Sequence, residues 1–132
     1  MKYLVLIYAN AQSWGHPIFL RTAAGQALSE DRRAALAADL DALLTEINDS
    51  GELVSGAALA DPATARTVRS ADGGPLATDG PYGESKEQLA GFFLVDCATR
   101  ERAEEIAGRF PEARYGGAVE LRPVMDLGGE EM

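Results

Sequence analysis

The sequence YLVLIY at residues 3–8 decides the fold, because it is apolar at every position. Successive side chains of a β-strand point to opposite faces of the sheet, so a strand over this segment has two apolar faces. A continuous apolar run with β-branched and aromatic members is typical of a strand that is buried on both sides. The segment therefore predicts a central strand whose two faces both need a covering layer.

A long helix is predicted after Ser29, which is a favoured N-cap residue, with Glu30 and Asp31 placing acids in the first turn. Apolar residues then recur at spacings of three and four, so that one stripe faces a core. These residues are Leu36, Leu40, Leu43, Leu44 and Ile47. Gly51 is a typical C-terminal stop, so the helix is expected to end near Asp49.

The remaining elements are predicted from apolar or alternating runs between turn signals. They are a strand over residues 53–59, a hairpin of 64–69 and 75–78, a strand over 90–95, a helix capped by Thr99 and closed by Pro111, and a last strand over 118–124. Residues 10–26 carry no clear period. A connection this long in a small domain is typical of a functional or mobile segment.

The order β-α-β, hairpin, β-α-β predicts an α+β ferredoxin-like sandwich with both helices on one face of an antiparallel sheet. Two helices cover only one face, whereas residues 3–8 are apolar on both. A second copy of the same sheet is the simplest cover for the other face. We therefore expect a homodimer that packs through facing sheets.

Composition limits the class of protein and its partners. The 132 residues fit one domain, predicted over 1–126 with a short disordered tail over 127–132. A net charge of -9 argues against nucleic acid and anionic membranes as partners. No signal peptide or membrane-spanning run is present, so a cytoplasmic location is expected. The single cysteine, Cys97, excludes an internal disulfide and is expected to be a small core residue.

The segment DGPYGESKEQLAGFF at residues 79–93 combines a tight turn, several ionisable side chains and the start of an apolar strand. Gly80 tolerates backbone angles closed to other residues, and Pro81 restricts its own φ. Polar side chains on a stiff turn that leads into a buried strand are suited to a small-molecule site. The same features also describe an ordinary, well-anchored loop.

Three parts of the chain together resemble the YCII-related family, in the subgroup named for the motif Asp-Gly-Pro-Phe. They are the opening Met1-Lys2-Tyr3 with its strand, the DGP of residues 79–81 followed by Glu84, Lys86-Glu87 and Gly91-Phe92, and the ending GGAVELRPV at 116–124. Tyr82 stands where the subgroup has its Phe.

The resemblance implies a ferredoxin-like fold paired into a dimeric α/β barrel. Members of this family are mostly uncharacterised; some look like enzymes acting on small ring compounds, and some occur linked to sigma-factor regions. A catalytic His and Asp pair has been proposed in the wider family. The only histidine here, His16, lies in the variable 10–26 segment, so the resemblance does not place that pair in this chain.

Three residues are predicted to be catalytic: His16, Tyr82 and Glu84. His16 has the imidazole pKa that suits general acid–base work, although a surface-loop histidine has the same sequence signature. Glu84 would share a pocket with other carboxyls that raise its pKa, or it forms a solvated pair with Lys86. Tyr82 either donates a hydrogen bond to a ligand or packs its ring.

Three further residues are predicted to bind a ligand: Asp79, Lys86 and Arg122. Alternatively, the Asp79 carboxylate accepts hydrogen bonds from backbone amides in its own turn and has no ligand. Lys86 and Arg122 would orient an anionic ligand. Arg122 lies two residues from Glu120, so both side chains share one face of the last strand, either inside the barrel or as an ion pair across the dimer rim.

No metal or cofactor is predicted. One His and one Cys do not make a zinc set, and the carboxylates have no spacing diagnostic of magnesium. Gly73-Gly74 belongs to the predicted hairpin and Gly116-Gly117 precedes a strand, so neither forms a phosphate loop.

Three functional hypotheses follow. The first is a small-molecule enzyme that uses acid–base chemistry of the isomerase or lyase type, in a pocket near the DGPYGESKE motif. The pocket would lie between sheet and helices or at the dimer seam. The alternative is a non-catalytic ligand-binding or regulatory module linked to transcription, and a dimeric scaffold without a ligand remains a third reading.

Overall fold

The computed structural model describes residues 1–10, 14, 19–83 and 85–132. The strand predicted over residues 3–8 forms the longer β1, which lies between two antiparallel neighbours. The strands are β1 (Lys2–Asn10), β2 (Leu53–Ala58), β3 (Arg66–Ala71), β4 (Gly74–Asp79), β5 (Glu87–Asp96) and β6 (Ala118–Pro123). The helices are α1 (Ala23–Gln26), α2 (Glu30–Asp49) and α3 (Arg100–Gly108), with 3₁₀ turns at Phe19–Arg21, Pro62–Thr64 and Pro111–Ala113.

The main sheet has the strand order β2-β5-β1-β6, and all its neighbouring strands are antiparallel. In register, Leu6 of β1 lies opposite Phe92 of β5 and Glu120 of β6. With α2 after β1 and α3 after β5, this is the ferredoxin-like α+β arrangement, so the predicted fold class is confirmed. The hairpin β3–β4 forms a separate two-stranded sheet. It lies between β2 and β5 in the sequence, while β2 and β5 themselves are neighbours in the main sheet.

The two faces of β1 have different environments. Tyr3, Val5 and Ile7 are buried in one core cluster with side chains of both long helices, including Leu43 of α2 and Ile106 of α3. The alternate residues of β1 point to the other face and are only half-buried. The helices therefore cover one face only, as the predicted arrangement of two helices on one side of the sheet implies.

Both predicted helix starts are confirmed by capping bonds. The hydroxyl of Ser29 accepts a hydrogen bond from the Arg32 backbone N–H at 3.2 Å. The hydroxyl of Thr99 accepts one from the Arg102 N–H at 3.1 Å. Each cap satisfies one of the N–H groups that have no partner within the helix. The polar residues that the sequence offered as caps therefore set where α2 and α3 begin.

Arg102 joins α3 to the end of α2 and the start of β2. Its guanidinium donates to both carboxylate oxygens of Glu52 at 3.0 Å and to Glu46 at 2.7 Å. These hydrogen bonds lower the pKa values of both carboxyls. Cys97 is buried nearby as predicted, and burial raises the pKa of its thiol. Because bidentate Arg–carboxylate pairs have a strict geometry, this cluster orients α3 on the sheet.

The connection over residues 10–26 contains regular structure that its sequence did not predict. Phe19–Arg21 forms a 3₁₀ turn, and α1 follows with Thr22 as its N-cap. These elements are three and four residues long, which is too short for a hydrophobic period to be visible. After β6, Met125 pairs with Glu131 in an isolated bridge. The division into a domain over 1–126 and a tail over 127–132 stays a prediction.

None of the helices in the described part of the chain is both long enough and apolar enough to span a membrane.

Candidate functional site

A cavity of about 230 Å³ lies between α2 and the sheet. Leu36, Leu40 and Leu44 of α2 line it, and Phe93 of β5 and Phe110 after α3 contribute aromatic rings. A dry, apolar cavity of about 150 Å³ is large enough to bind benzene. The space below α2 is therefore large enough for a ring-sized molecule, and its lining suits an apolar one.

The cavity exists because β2 and β5 carry very small residues below α2. Ala57 and Ala58 of β2, and Ala90 and Gly91 of β5, line its floor. A Cβ atom on Gly91 would lie 2.7 Å from the Ala57 carbonyl oxygen, which is closer than real Cβ contacts occur. Only glycine lets β2 approach β5 at this point. The leucines of α2 therefore face a floor without side chains large enough to fill the space.

Glu112 is the one acidic side chain among the described residues that line the cavity. It lies in the 3₁₀ turn Pro111–Ala113, and only 7% of its surface is exposed. Burial raises the pKa of its carboxyl, and a hydrogen bond from its own backbone N–H opposes that shift only in part. No described residue forms an ion pair with Glu112, so none of them returns the pKa of its carboxyl to the ordinary value.

A second, more polar cleft of about 140 Å³ lies on the other side of Glu112. Asn10, Thr22 and Tyr115 line this cleft, and Phe19 and Glu112 line both the cleft and the cavity. The rings of Phe19 and Tyr115 pack at a centroid distance of 5.6 Å. Glu112 and Phe19 thus form the boundary between an apolar space and a more polar one.

Gly117 makes this boundary possible. A Cβ atom at residue 117 would overlap the Tyr8 carbonyl oxygen and would lie 3.1 Å from the Glu112 Cβ. Any larger residue would therefore displace either β1 or the turn that holds Glu112. The glycine pair before the last strand, which the sequence marked only as a strand start, positions the buried carboxyl.

Chemically, the arrangement is a carboxyl with a raised pKa in apolar surroundings next to a space for a ligand. A raised pKa brings a carboxyl closer to the pH at which it works as a general acid and base. Perturbed carboxyls that line pockets are candidates for function, although structural carboxyls are perturbed as well. The site is therefore suited to donate one hydrogen bond or one proton to a bound molecule.

Two of the predicted site residues lie at the end of the β3–β4 hairpin, away from this cavity. Asp79 ends β4, and its carboxylate accepts a hydrogen bond from Arg66 at 2.9 Å with 88% of its side chain exposed. Tyr82 is 80% exposed, and the guanidinium of Arg69 lies 5.2 Å from the centre of its ring. The structure brings Asp79 and Tyr82 to the same end of the hairpin, on the surface.

The other two described candidates lie elsewhere on the surface. Lys86 is exposed just before β5, and Arg122 of β6 pairs with Glu120 at 2.8 Å. The residues on either side of Lys86, which are Ser85 and Glu87, line an open depression together with Glu120. The motif thus approaches the last strand, while the Arg122 side chain is 67% exposed.

The remaining candidates, His16 and Glu84, lie outside the described residues. Their predicted roles, and those of Tyr82, Asp79, Lys86 and Arg122, stay predictions. Glu112 was not among the candidates, because the sequence marks it only as the residue after a helix-ending proline. No periodic pattern assigns a face to a residue in so short a turn. The only feature of the sequence that could have indicated the burial of Glu112 was the neighbouring Phe110, which occupies a core position of the predicted helix.

In the part of the chain that the structure covers, no group of three or more His, Cys, Asp or Glu side chains is arranged to hold a metal ion.

Fold and cavity together define a ferredoxin-like α+β protein with an apolar space between the longer helix and the sheet. The YCII-related domain matches residues 1–128, so the chain belongs to the YCII-related family. An uncharacterised protein of Rhizobium meliloti (strain 1021) is 37% identical over 87 residues, which are 65% of this chain and 70% of that protein. The resemblance in the sequence is thus confirmed for the family, and the Asp-Gly-Pro-Phe subgroup stays a prediction.

Proposed function

We propose that this protein binds a small, mostly apolar molecule in the cavity below α2 and converts it by acid–base chemistry of the isomerase or lyase type. The observation that carries the proposal is Glu112, a 7% exposed carboxyl with a raised pKa that lines an otherwise apolar cavity. A buried carboxyl without a cation costs stability, so its presence beside a cavity favours a functional role.

In this proposal Glu112 is the acid. Isomerisation and lyase-type cleavage both add a proton to one substrate atom and remove a proton from another. Glu112 would give its proton to the first atom, and the carboxylate so formed would take the proton from the second, so that the acid is restored. Because its pKa is raised, the Glu112 carboxyl holds that proton to higher pH than an ordinary glutamate does, and the apolar wall strengthens its hydrogen bond to a substrate atom. The leucines of α2 would exclude water from the reacting atoms.

The scarcity of polar groups in the cavity favours a second candidate function, which is ligand binding without conversion. Such a protein would act as a sensor or regulatory module, and the family's linkage to transcription proteins is compatible with that role. Glu112 would then supply one hydrogen bond for specificity. Catalysis at the DGPYGESKE motif by Tyr82, Glu84 and His16 also remains a proposal, with Asp79, Lys86 and Arg122 holding the ligand.

A thermal-shift screen of small ring compounds tests the location of the site. A compound that binds only the folded protein stabilises it by about 2.7 kcal/mol at roughly a hundredfold excess over its Kd. We expect such compounds to lose their effect in Leu40→Trp, which fills the cavity. They should keep it in Leu127→Trp, a matched change at a fully exposed position.

Chromatography of the bound compounds then separates the two functions. Product that forms with the wild-type protein, and is lost in Glu112→Gln while binding persists, supports the enzyme. Binding without any product supports the regulatory module. Compounds whose effect survives Leu40→Trp but disappears in Tyr82→Phe or Lys86→Ala would move the site to the motif and overturn the proposal.

We further propose that two copies pack through the open faces of their sheets. Leu4 and Leu6 of β1 lie opposite Leu94 and Phe92 of β5, and all four are half-buried on the face without helices. These residues form one contiguous apolar patch, which is characteristic of an interaction surface. A second copy provides an identical patch, so the contact would be self-complementary.

Light scattering coupled to gel filtration checks the assembly. We expect the wild-type protein to have twice the 14.0 kDa mass of one chain. Leu6→Glu should give the single-chain mass, because a charge in the centre of the patch cannot be buried without a partner. Leu127→Glu places the same charge on a fully exposed residue and should remain dimeric. A wild-type protein with the mass of one chain would contradict the proposal.

A further inference from the structure

The geometry points to an uncharged, two-ended ligand whose apolar end fills the cavity below α2, while an oxygen atom accepts a hydrogen bond from the Glu112 carboxyl and the polar end lies in the adjoining cleft. This inference rests on the proposed function and names the class of molecule that the site takes. It goes beyond that proposal because it assigns a part to the second cleft and excludes charged ligands.

The first observation is that the two spaces share residues. Phe19 and Glu112 line both the apolar cavity and the polar cleft. A molecule that extends from one space into the other must therefore pass the Glu112 carboxyl. The apolar part of such a ligand would therefore end, and its polar part begin, at the Glu112 carboxyl.

The second observation is the absence of cationic side chains. No Lys, Arg or His is found among the described residues that line either space. A carboxylate or phosphate ligand would meet no counter-charge from these described residues, and it would lie next to Glu112. A cationic ligand would require Glu112 to ionise in an apolar wall, where the desolvation of two charges offsets the gain from pairing them.

The third observation is the kind of polar group in the cleft. The Thr22 hydroxyl is already engaged, since it donates to the Phe19 carbonyl oxygen at 2.6 Å and accepts from the Gly25 N–H at 3.2 Å. The phenol of Tyr115 and the backbone at Gly116 and Gly117 supply dipoles rather than charges. Such groups match a carbonyl, hydroxyl or ester oxygen.

The direction of the hydrogen bond is inferred from the position of Glu112, whose carboxyl is the one acidic group among the described residues where the two spaces meet. Because burial raises the pKa of the carboxyl, its protonated form persists to higher pH than that of an ordinary glutamate. A protonated carboxyl donates through its O–H, so the ligand atom that it meets is an acceptor. The oxygen of a ketone or ester on an apolar ring fulfils this requirement.

Four probes with the same aromatic ring test the inference: acetophenone, toluene, benzoate and benzylamine, titrated calorimetrically at mildly acid pH, where a raised pKa favours the protonated form of Glu112. We expect acetophenone to bind about three- to tenfold more tightly than toluene, which is the effect of one ordinary hydrogen bond. Benzoate and benzylamine should bind more weakly than toluene. Glu112→Gln retains an N–H donor and should keep the preference for acetophenone, whereas Glu112→Leu should abolish it.

The outcomes separate this inference from the proposed function. If toluene binds and acetophenone binds no more tightly, or if benzoate or benzylamine binds best, the inference is overturned while the cavity remains a ligand site. If none of the four probes binds, the cavity is not a ligand site and both proposals are overturned. A preference that persists in a folded Glu112→Leu variant would also overturn the inference, because another group would then be the donor.

Discussion

Replacement of Phe110 by alanine is expected to lower the free energy of unfolding by about 3–5 kcal/mol, the usual cost of removing a buried aromatic ring. Only 1% of Phe110 is exposed, and its ring stacks on Phe93 with centroids 5.1 Å apart and planes tilted by 22°. Phe110 also lines the cavity, so its removal enlarges an existing void that the surrounding residues do not fill. Urea denaturation measures the effect as a lower midpoint.

Two variants provide the controls for this experiment. Phe110→Leu retains most of the apolar contact and should cost less than the alanine variant. Leu127→Ala changes a fully exposed residue and should alter stability by less than about 0.5 kcal/mol. If Phe110→Ala loses less than about 1 kcal/mol, the ring is not a core element and the wall of the cavity is wrongly placed.

Replacement of Glu112 by glutamine is expected to make the protein relatively more stable as the pH rises. Burial raises the pKa of Glu112 above its ordinary value of 4.5 in the folded protein, whereas the unfolded chain has the ordinary value. Between these two pKa values the folded state binds more protons, so the wild-type free energy of unfolding falls as the pH rises. Glutamine does not titrate, so residue 112 of the variant does not lower the free energy of unfolding as the pH rises.

Melting temperatures of both proteins from about pH 4 to pH 8 measure the effect as a difference curve. The difference should be smallest at acid pH, grow through the range between the unfolded and the folded pKa of Glu112, and level off above it. Glu46 and Glu52 have lowered pKa values and give the opposite pH dependence, but they are present in both proteins and cancel. A difference that does not change with pH would show that folding does not raise the pKa of Glu112.

Much of the fold could be predicted because the responsible signals are local. The caps at Ser29 and Thr99 and the turn between residues 71 and 74 each depend on a few adjacent residues. The side chains of residues 3–8 point alternately to the two faces of the sheet, which requires only that the segment is a strand. In each case the sequence contains the physical cause, so the element appeared close to the expected position.

The Arg102 cluster and the short elements before α2 were not predicted. Arg102 meets Glu46 and Glu52 across 56 and 50 residues of sequence. No local pattern shows such a pairing, because it depends on where two helices and a strand end in space. The 3₁₀ turn at Phe19–Arg21 is too short to have a period.

The candidate site residues also fall into those that the sequence suggested and those that only the structure revealed. The motif at residues 79–93 was conspicuous as a turn with ionisable groups, and the structure places Asp79 and Tyr82 on the surface of a hairpin end. Glu112 follows a proline in a sequence with no special feature, yet it is buried between two spaces. Sequence reasoning ranks residues by local chemistry, whereas a pKa shift depends on what surrounds the group.

The sequence by itself determined the order of the elements, the two apolar faces of the central strand and the membership of the YCII-related family. These features follow from residue types and spacings along the chain. Only the tertiary structure decided that small residues of β2 and β5 lie below the leucines of α2, leaving a cavity, and that Gly117 lets Glu112 reach its edge. Cavities and buried charges arise from the packing of distant segments, and neither is present until the chain has folded.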